Sequence, residues 1–119
     1  MNFDSRKKVL VIGDIMLDRH VYGDVTRIAP EAPIPIVKYE RETLTLGGAG
    51  NVFANLLSLG INAFIVSIAG YDYGGRKISY EIIKENRGYI VLANGVKTTV
   101  KIRTIGNGIL VFRFERCYR

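Results

Sequence analysis

Cysteine and histidine are almost missing from this chain: Cys117 and His20 are the only ones in 119 residues. A lone cysteine excludes an internal disulfide and a cysteine metal cluster, and it fits a reducing cytosol. A lone histidine with no second His or Cys at ligand spacing reads as a surface or strand residue rather than a metal ligand. It also leaves no nucleophile-and-base pair, since Ser58, Ser67 and Ser79 have no identifiable triad. Long apolar runs are lacking too. Val9 to Ile12 follows a polar N-terminus and is far too short for a signal-peptide core or a membrane span. The expectation is a soluble, cytoplasmic protein with no membrane partner. There is no low-complexity tract, solenoid repeat or charge block. The net charge of +6 attracts anions, but Lys and Arg are scattered along the chain with no nucleic-acid motif beside them, so a nucleic-acid partner is not expected.

What is present is an alternation of elements within a length that suits one domain. Lys8 to Gly13 is short, β-branched and almost wholly apolar, the texture of a buried parallel strand, and it is expected to be the first central one. Pro30, Pro33 and Pro35 exclude a helix from the stretch between Val21 and Leu46, which reads as a flap outside the core, with Ile34 to Tyr39 as an exposed strand. Gly50 to Leu59 is apolar on nearly every side and predicts a buried helix closed by Gly60. Ala63 to Ala69 predicts a buried strand. Asp72 caps a helix from Tyr73 to Arg87 ending at Gly88, and Tyr89 to Ala93 is a third strand. This β-α-β-α-β order argues for a parallel sheet with right-handed crossovers. After Val96 the period becomes two, with Asn107-Gly108 between the runs, which predicts a β-hairpin on a type I′ turn. Beside a parallel sheet, such a β flap suggests a lid over a ligand.

Three groups of residues could carry chemistry. Asp14 and Asp18 fall just beyond the carboxyl end of the first strand, where open α/β sheets bind ligands, and an ionised carboxylate there can accept bonds from sugar hydroxyls. Equally, Asp14 could cap the turn and Asp18 pair with Arg19 or water. The turn Gly47-Gly48-Ala49-Gly50-Asn51 opens a helix, offering backbone N–H groups and an amide to an oxygen ligand. Tight helix-on-strand packing would explain the same glycines. Lys101 and Arg103, joined by Arg113, could grip a phosphate, or simply form a solvated strand face. A nucleotide-binding domain is disfavoured because Gly13-Asp14-Ile15-Met16 lacks the second and third glycines of a dinucleotide fingerprint.

Taken in order, Val9 to Asp18 (VLVIGDIMLD), Thr26 to Pro35 (TRIAPEAPIP), LGGAGN, SLG and AGYDYGG resemble the N-terminal part of the PfkB/ribokinase carbohydrate kinases. Within them the segment TRIAPEAPIP, with Thr98 to Arg103 (TTVKIR), is most similar to the heptose 7-phosphate kinases, the kinase domain of the bifunctional ADP-heptose synthesis proteins of lipopolysaccharide assembly. The resemblance implies an α/β, ribokinase-like fold: a parallel-sheet core from segments 8–20 and 47–95, and a protruding β-lid from segments 21–46 and 96–116. It implies that Asp18 binds sugar hydroxyls, that Gly47, Gly48 and Asn51 form the sugar-facing turn, that Lys101 and Arg103 sit near the substrate's phosphate, and that Asp14 is a secondary candidate. Phe53 departs from the pattern, standing where the family's signature usually has a small residue.

In that family the base is an aspartate of a Gly-Ala-Gly-Asp turn, and the same half binds ATP with Mg²⁺. No such turn occurs in these 119 residues. Phosphoryl transfer needs acceptor, γ-phosphate and metal positioned together, so the chain by itself is expected to be inactive, with no catalytic or cofactor-binding residue of its own. The resemblance implies the sugar-binding, lid-bearing part of a kinase that phosphorylates an anomeric hydroxyl. The alternative is a non-catalytic sugar-phosphate-binding or interaction module derived from one. A homodimer through the lid strands, or a complementary C-terminal kinase half, is the expected protein partner, because an apolar face and a sheet edge would otherwise be open.

Overall fold

The computed structural model describes residue 4 and residues 6–117. Lys8–Ile12 (β1), Asn62–Gly70 (β4) and Gly88–Ala93 (β5) make a parallel sheet in the order β1-β4-β5. Ala49–Ser58 (α1) and Tyr73–Glu85 (α2) are its crossover helices and pack on one of its faces. The strand period of two sends Ala63, Ile65, Ser67 and Ala69 of β4 to that face, where all are buried. On α2 the spacing of four brings Ile78 and Ile82 down onto them, and α1 contributes Phe53. Removing each such side chain from water contributes about 1.5–3 kcal/mol.

The second sheet is formed by Ile15–Ile28 (β2), Pro35–Gly48 (β3), Thr99–Gly106 (β6) and Ile109–Arg116 (β7), in the order β3-β2-β6-β7. The β2–β3 and β6–β7 pairs are antiparallel, and β2 runs parallel to β6. Pro30 and Pro33 lie in the connection and Pro35 opens β3, as residues without an N–H to give require. The β6–β7 hairpin turns at Asn107 and Gly108, both at positive φ, as a type I′ turn needs. Ile15 and Leu17 of β2 join the core under β4, so the two sheets share one cluster of buried residues. The 14-residue β2 and β3 then run on for about 45 Å at ~3.3 Å per residue, carrying the sheet beyond that core. The radius of gyration, 17.4 Å, exceeds the roughly 13.5 Å of a compact chain this long accordingly.

Four local expectations change. β1 is an edge strand rather than a central one, and its Leu10 and Ile12 are 58% and 75% exposed because, among the described residues, no element covers that side. α1 buries only Gly50 and Phe53, leaving Val52 exposed. α2 ends on Asn86 in the left-handed region, while Gly88 opens β5. The break at Gly13-Asp14 leads into β2 rather than a loop, so residues 15–20 hydrogen-bond within the second sheet although their apolar side chains enter the core.

Candidate functional site

Alternation along the strands and the register between them decide which side chains share a face. Asp18 stands beside Thr45 of β3 and Lys101 of β6, and Lys101 stands beside Glu115 of β7. Two residues along, His20 stands beside Thr43 and Arg103, and Arg103 beside Arg113. The intervening residues Leu17, Leu46 and Val100 point the other way, into the core. One face of the four-stranded sheet is thus a field of charged and hydroxyl groups, with cations in excess.

Within it, the Asp18 carboxylate is half-buried and its Oδ1 lies 3.5 Å from Arg103 Nη1. Arg19 takes no part: it pairs with Glu42 on the opposite face. Gly47 makes room for Asp18, since a Cβ there would come within 2.6 Å of Asp18 Oδ2. Gly48 does something different. Its φ is +58°, a Cβ would lie 2.4 Å from Asp14 O, and the next N–H, from Ala49, donates to that oxygen at 2.8 Å. Close packing thus requires glycine at both positions, against the Asp18 side chain at Gly47 and against the Asp14 backbone at Gly48. Arg113 is paired with Glu115; that bond, with the Arg113, Lys101 and Arg103 charges, holds the Glu115 carboxyl below the ordinary carboxylate range against a smaller opposing effect of burial.

A cavity of about 410 Å³ lies where this face meets the carboxyl end of β4, lined by Asp14, Met16, Ile68, Thr98, Lys101 and Glu115. A larger one, about 690 Å³, is lined by Leu44, Leu46, Phe53, Leu57, Tyr80 and Asn51, and so lies among α1, α2 and β3. We place the site at the smaller cavity, because ligands of open α/β sheets bind beyond the carboxyl ends of the strands and because charged groups converge there. Of the candidates named from sequence only Asp14 and Lys101 line it; Asp18, Gly47, Gly48 and Arg103 are outside its lining, on the face beside it, and Asn51 is exposed on the first turn of α1 and lines the other cavity. Phe53, the departure from the family pattern, fills core behind the turn at 1% exposure. Glu115 and Thr45 were overlooked by sequence reasoning, although the alternation Phe112, Arg113, Phe114, Glu115 already put Glu115 on the cationic face.

The Gly70-x-Asp72-x-x-Gly75 motif turns out to be a joint. Asp72 caps α2 by accepting from Gly75 N–H at 2.9 Å, and it also accepts from the Thr98 hydroxyl at 2.7 Å and the Thr98 N–H at 3.0 Å. Burial raises its pKa, but these bonds and the Arg116 charge outweigh burial and hold the carboxyl below its usual value.

No protein-family model matches the sequence. The bifunctional protein HldE of Campylobacter concisus is 42% identical over 114 residues, which are 94% of this chain and 24% of that protein. HldE of Caulobacter sp. (strain K31) is 47% identical over 115 residues, 94% of this chain and 23% of that protein. The chain is a homologue of the HldE bifunctional proteins. It spans about a quarter of the length of these relatives. Its fold is that of the PfkB/ribokinase sugar kinases: a carbohydrate kinase from Agrobacterium tumefaciens superposes with a TM-score of 0.67 at 24% identity, covering 92% of this chain and 35% of that one. Arabidopsis thaliana ribokinase complexed with ribose and ATP gives 0.64 at 15% identity, covering 92% and 36%. Among the described residues, no helix is long and apolar enough to cross a membrane.

Proposed function

We propose that this chain is the sugar-phosphate-binding part of a carbohydrate kinase of the heptose 7-phosphate type, with the four-stranded sheet as its lid. The observation that carries the reading is the register that sets Asp18 beside Lys101 and within reach of Arg103, next to a cavity at the carboxyl end of β4. In this reading Asp18, freed from or shared with Arg103, accepts hydrogen bonds from sugar hydroxyls. Gly47 keeps the approach to Asp18 open, Asp14 and Lys101 line the sugar's path, and Arg103 turns to the phosphate as a fork-shaped donor. Asn51 serves the site only if the α1 turn moves toward it.

In this reading ATP and Mg²⁺ are bound by another half of the kinase. The turn after β1 runs into a strand, so it presents no strand-to-helix phosphate cradle, and among the described residues no group of three His, Cys, Asp or Glu could hold a metal. Transfer of the γ-phosphate to the anomeric hydroxyl, in a cytoplasmic enzyme, is proposed only for a protein that also carries an ATP half. Titration calorimetry of the chain with heptose 7-phosphate, with free heptose and with inorganic phosphate tests the reading. We expect binding of the sugar phosphate that Asp18→Asn weakens at least tenfold; equal affinity in the variant would sink the assignment.

A further inference from the structure

We infer that Asp72 and Thr98 form a clasp that fixes the start of β6 against the three-stranded sheet, and with it the wall that Val96, Lys97 and Thr98 give to the cavity lined by Asp14 and Lys101. This holds whatever that cavity binds.

Helix capping accounts for only part of what Asp72 does. One oxygen accepting the Gly75 N–H meets the need of an N-cap. The same Oδ1 takes the Thr98 hydroxyl proton, while Oδ2 takes the Thr98 N–H and lies 3.4 Å from Arg116 Nη2. The Thr98 hydroxyl, its proton given to Asp72, accepts from Gly70 N–H at 2.9 Å. The end of β4, the first turn of α2, the residue before β6 and the last residue of β7 are thereby joined through one carboxylate and one hydroxyl. Thr98 is 2% exposed, so water reaches these bonds only from the side of Asp72 and Arg116, which are partly exposed. The backbones are also in close approach: a Cβ on Gly75 would lie 1.9 Å from Gly70 O.

The β2–β3 half is anchored by other bonds, from Ser67 Oγ to Gly13 O at 2.5 Å and from Ala49 N–H to Asp14 O. The clasp ties the start of β6 to the three-stranded sheet directly, in addition to the β2–β6 ladder. Thr98 immediately precedes β6 and lines the cavity with Val96 and Lys97, so its release moves that wall while the β2–β6 ladder still holds Lys101 beside Asp18.

Hydrogen exchange of the whole chain, read by mass spectrometry for Thr98→Val, Thr98→Ser and Asp72→Asn, separates the clasp from the cap, since Asn caps helices about as well as Asp. We expect Thr98→Val and Asp72→Asn to speed exchange in segment 99–105 about tenfold relative to segment 62–69, with Thr98→Ser within about twofold of the parent. A rise confined to α2, an equal rise in 62–69, or the same rise in Thr98→Ser overturns the inference. Should Thr98→Val fail to fold, Asp72→Asn decides by the same comparison.

Discussion

In the three-stranded sheet Leu10, Ile12, Val66, Ile68, Tyr89 and Val91 stand on a face open to water, whereas the four-stranded sheet turns Asp18, Lys101, Arg103 and Glu115 outward. The strands of the first are mostly apolar and those of the second mix apolar with polar residues, and the two answer to different rules. A parallel sheet is normally covered on both faces, so its strands read as continuous apolar runs, while a mixed or antiparallel sheet can leave one polar face in solvent. The sheet bearing the candidate site also exposes apolar side chains, among them Ile109, Leu110, Phe112 and Phe114 on its β7 edge. The sheet supporting it keeps an apolar surface of the kind that marks association. Association was expected at the lid strands, and exposed apolar side chains stand on both sheets.

The sharpest break of this comparison removes the core of the supporting sheet. Ile65→Ala, at a fully buried position, should cost about 2–5 kcal/mol in a denaturant titration, and a loss under about 1 kcal/mol would mean the parallel sheet is not the stability centre. Next in size is Gly47→Ala, whose Cβ would lie 2.6 Å from Asp18 Oδ2 and 2.7 Å from Met16 Cγ: we expect about tenfold weaker sugar-phosphate binding, or ~1.4 kcal/mol, together with a loss of folding stability as Met16 shifts. Acid acts on the joint between the sheets. Because the Asp72 pKa is lower folded than unfolded, its contribution is present above the ordinary value near 4 and is lost as pH falls through the folded value. Asp72→Asn should therefore flatten the acid limb of a pH-stability curve and leave the region above pH ~5 with the same slope. The smallest effect on stability belongs to Ile12→Glu, within about 0.5 kcal/mol, yet light scattering should show less self-association. Unchanged association would move the contact back to the lid strands.

Legibility followed the range of the interactions. The strands β4 and β5, the Asp72 cap and the Asn107-Gly108 hairpin were readable because each depends on residues close in sequence. β2 was not seen as a 14-residue strand because Arg19 interrupts its apolar alternation of Ile15, Leu17 and Val21. Its partner Glu42 is 23 residues away, and only that pairing lets a cation sit on the core side. At the site, Asp18, Lys101 and Arg103 were readable as types, and their meeting rests on the β2–β6 register, which brings together residues more than 80 positions apart.

Backbone sterics and local hydrogen bonding, written into Asp72, Asn107 and the apolar period, determined the elements of this protein without reference to the rest of the chain. Which strand became an edge, which carboxylate met which guanidinium, and that Asp72 would hold Thr98 as well as its own helix were decided by tertiary structure alone. The reason is physical: those choices depend on partners whose distance along the chain carries no information about their distance in space.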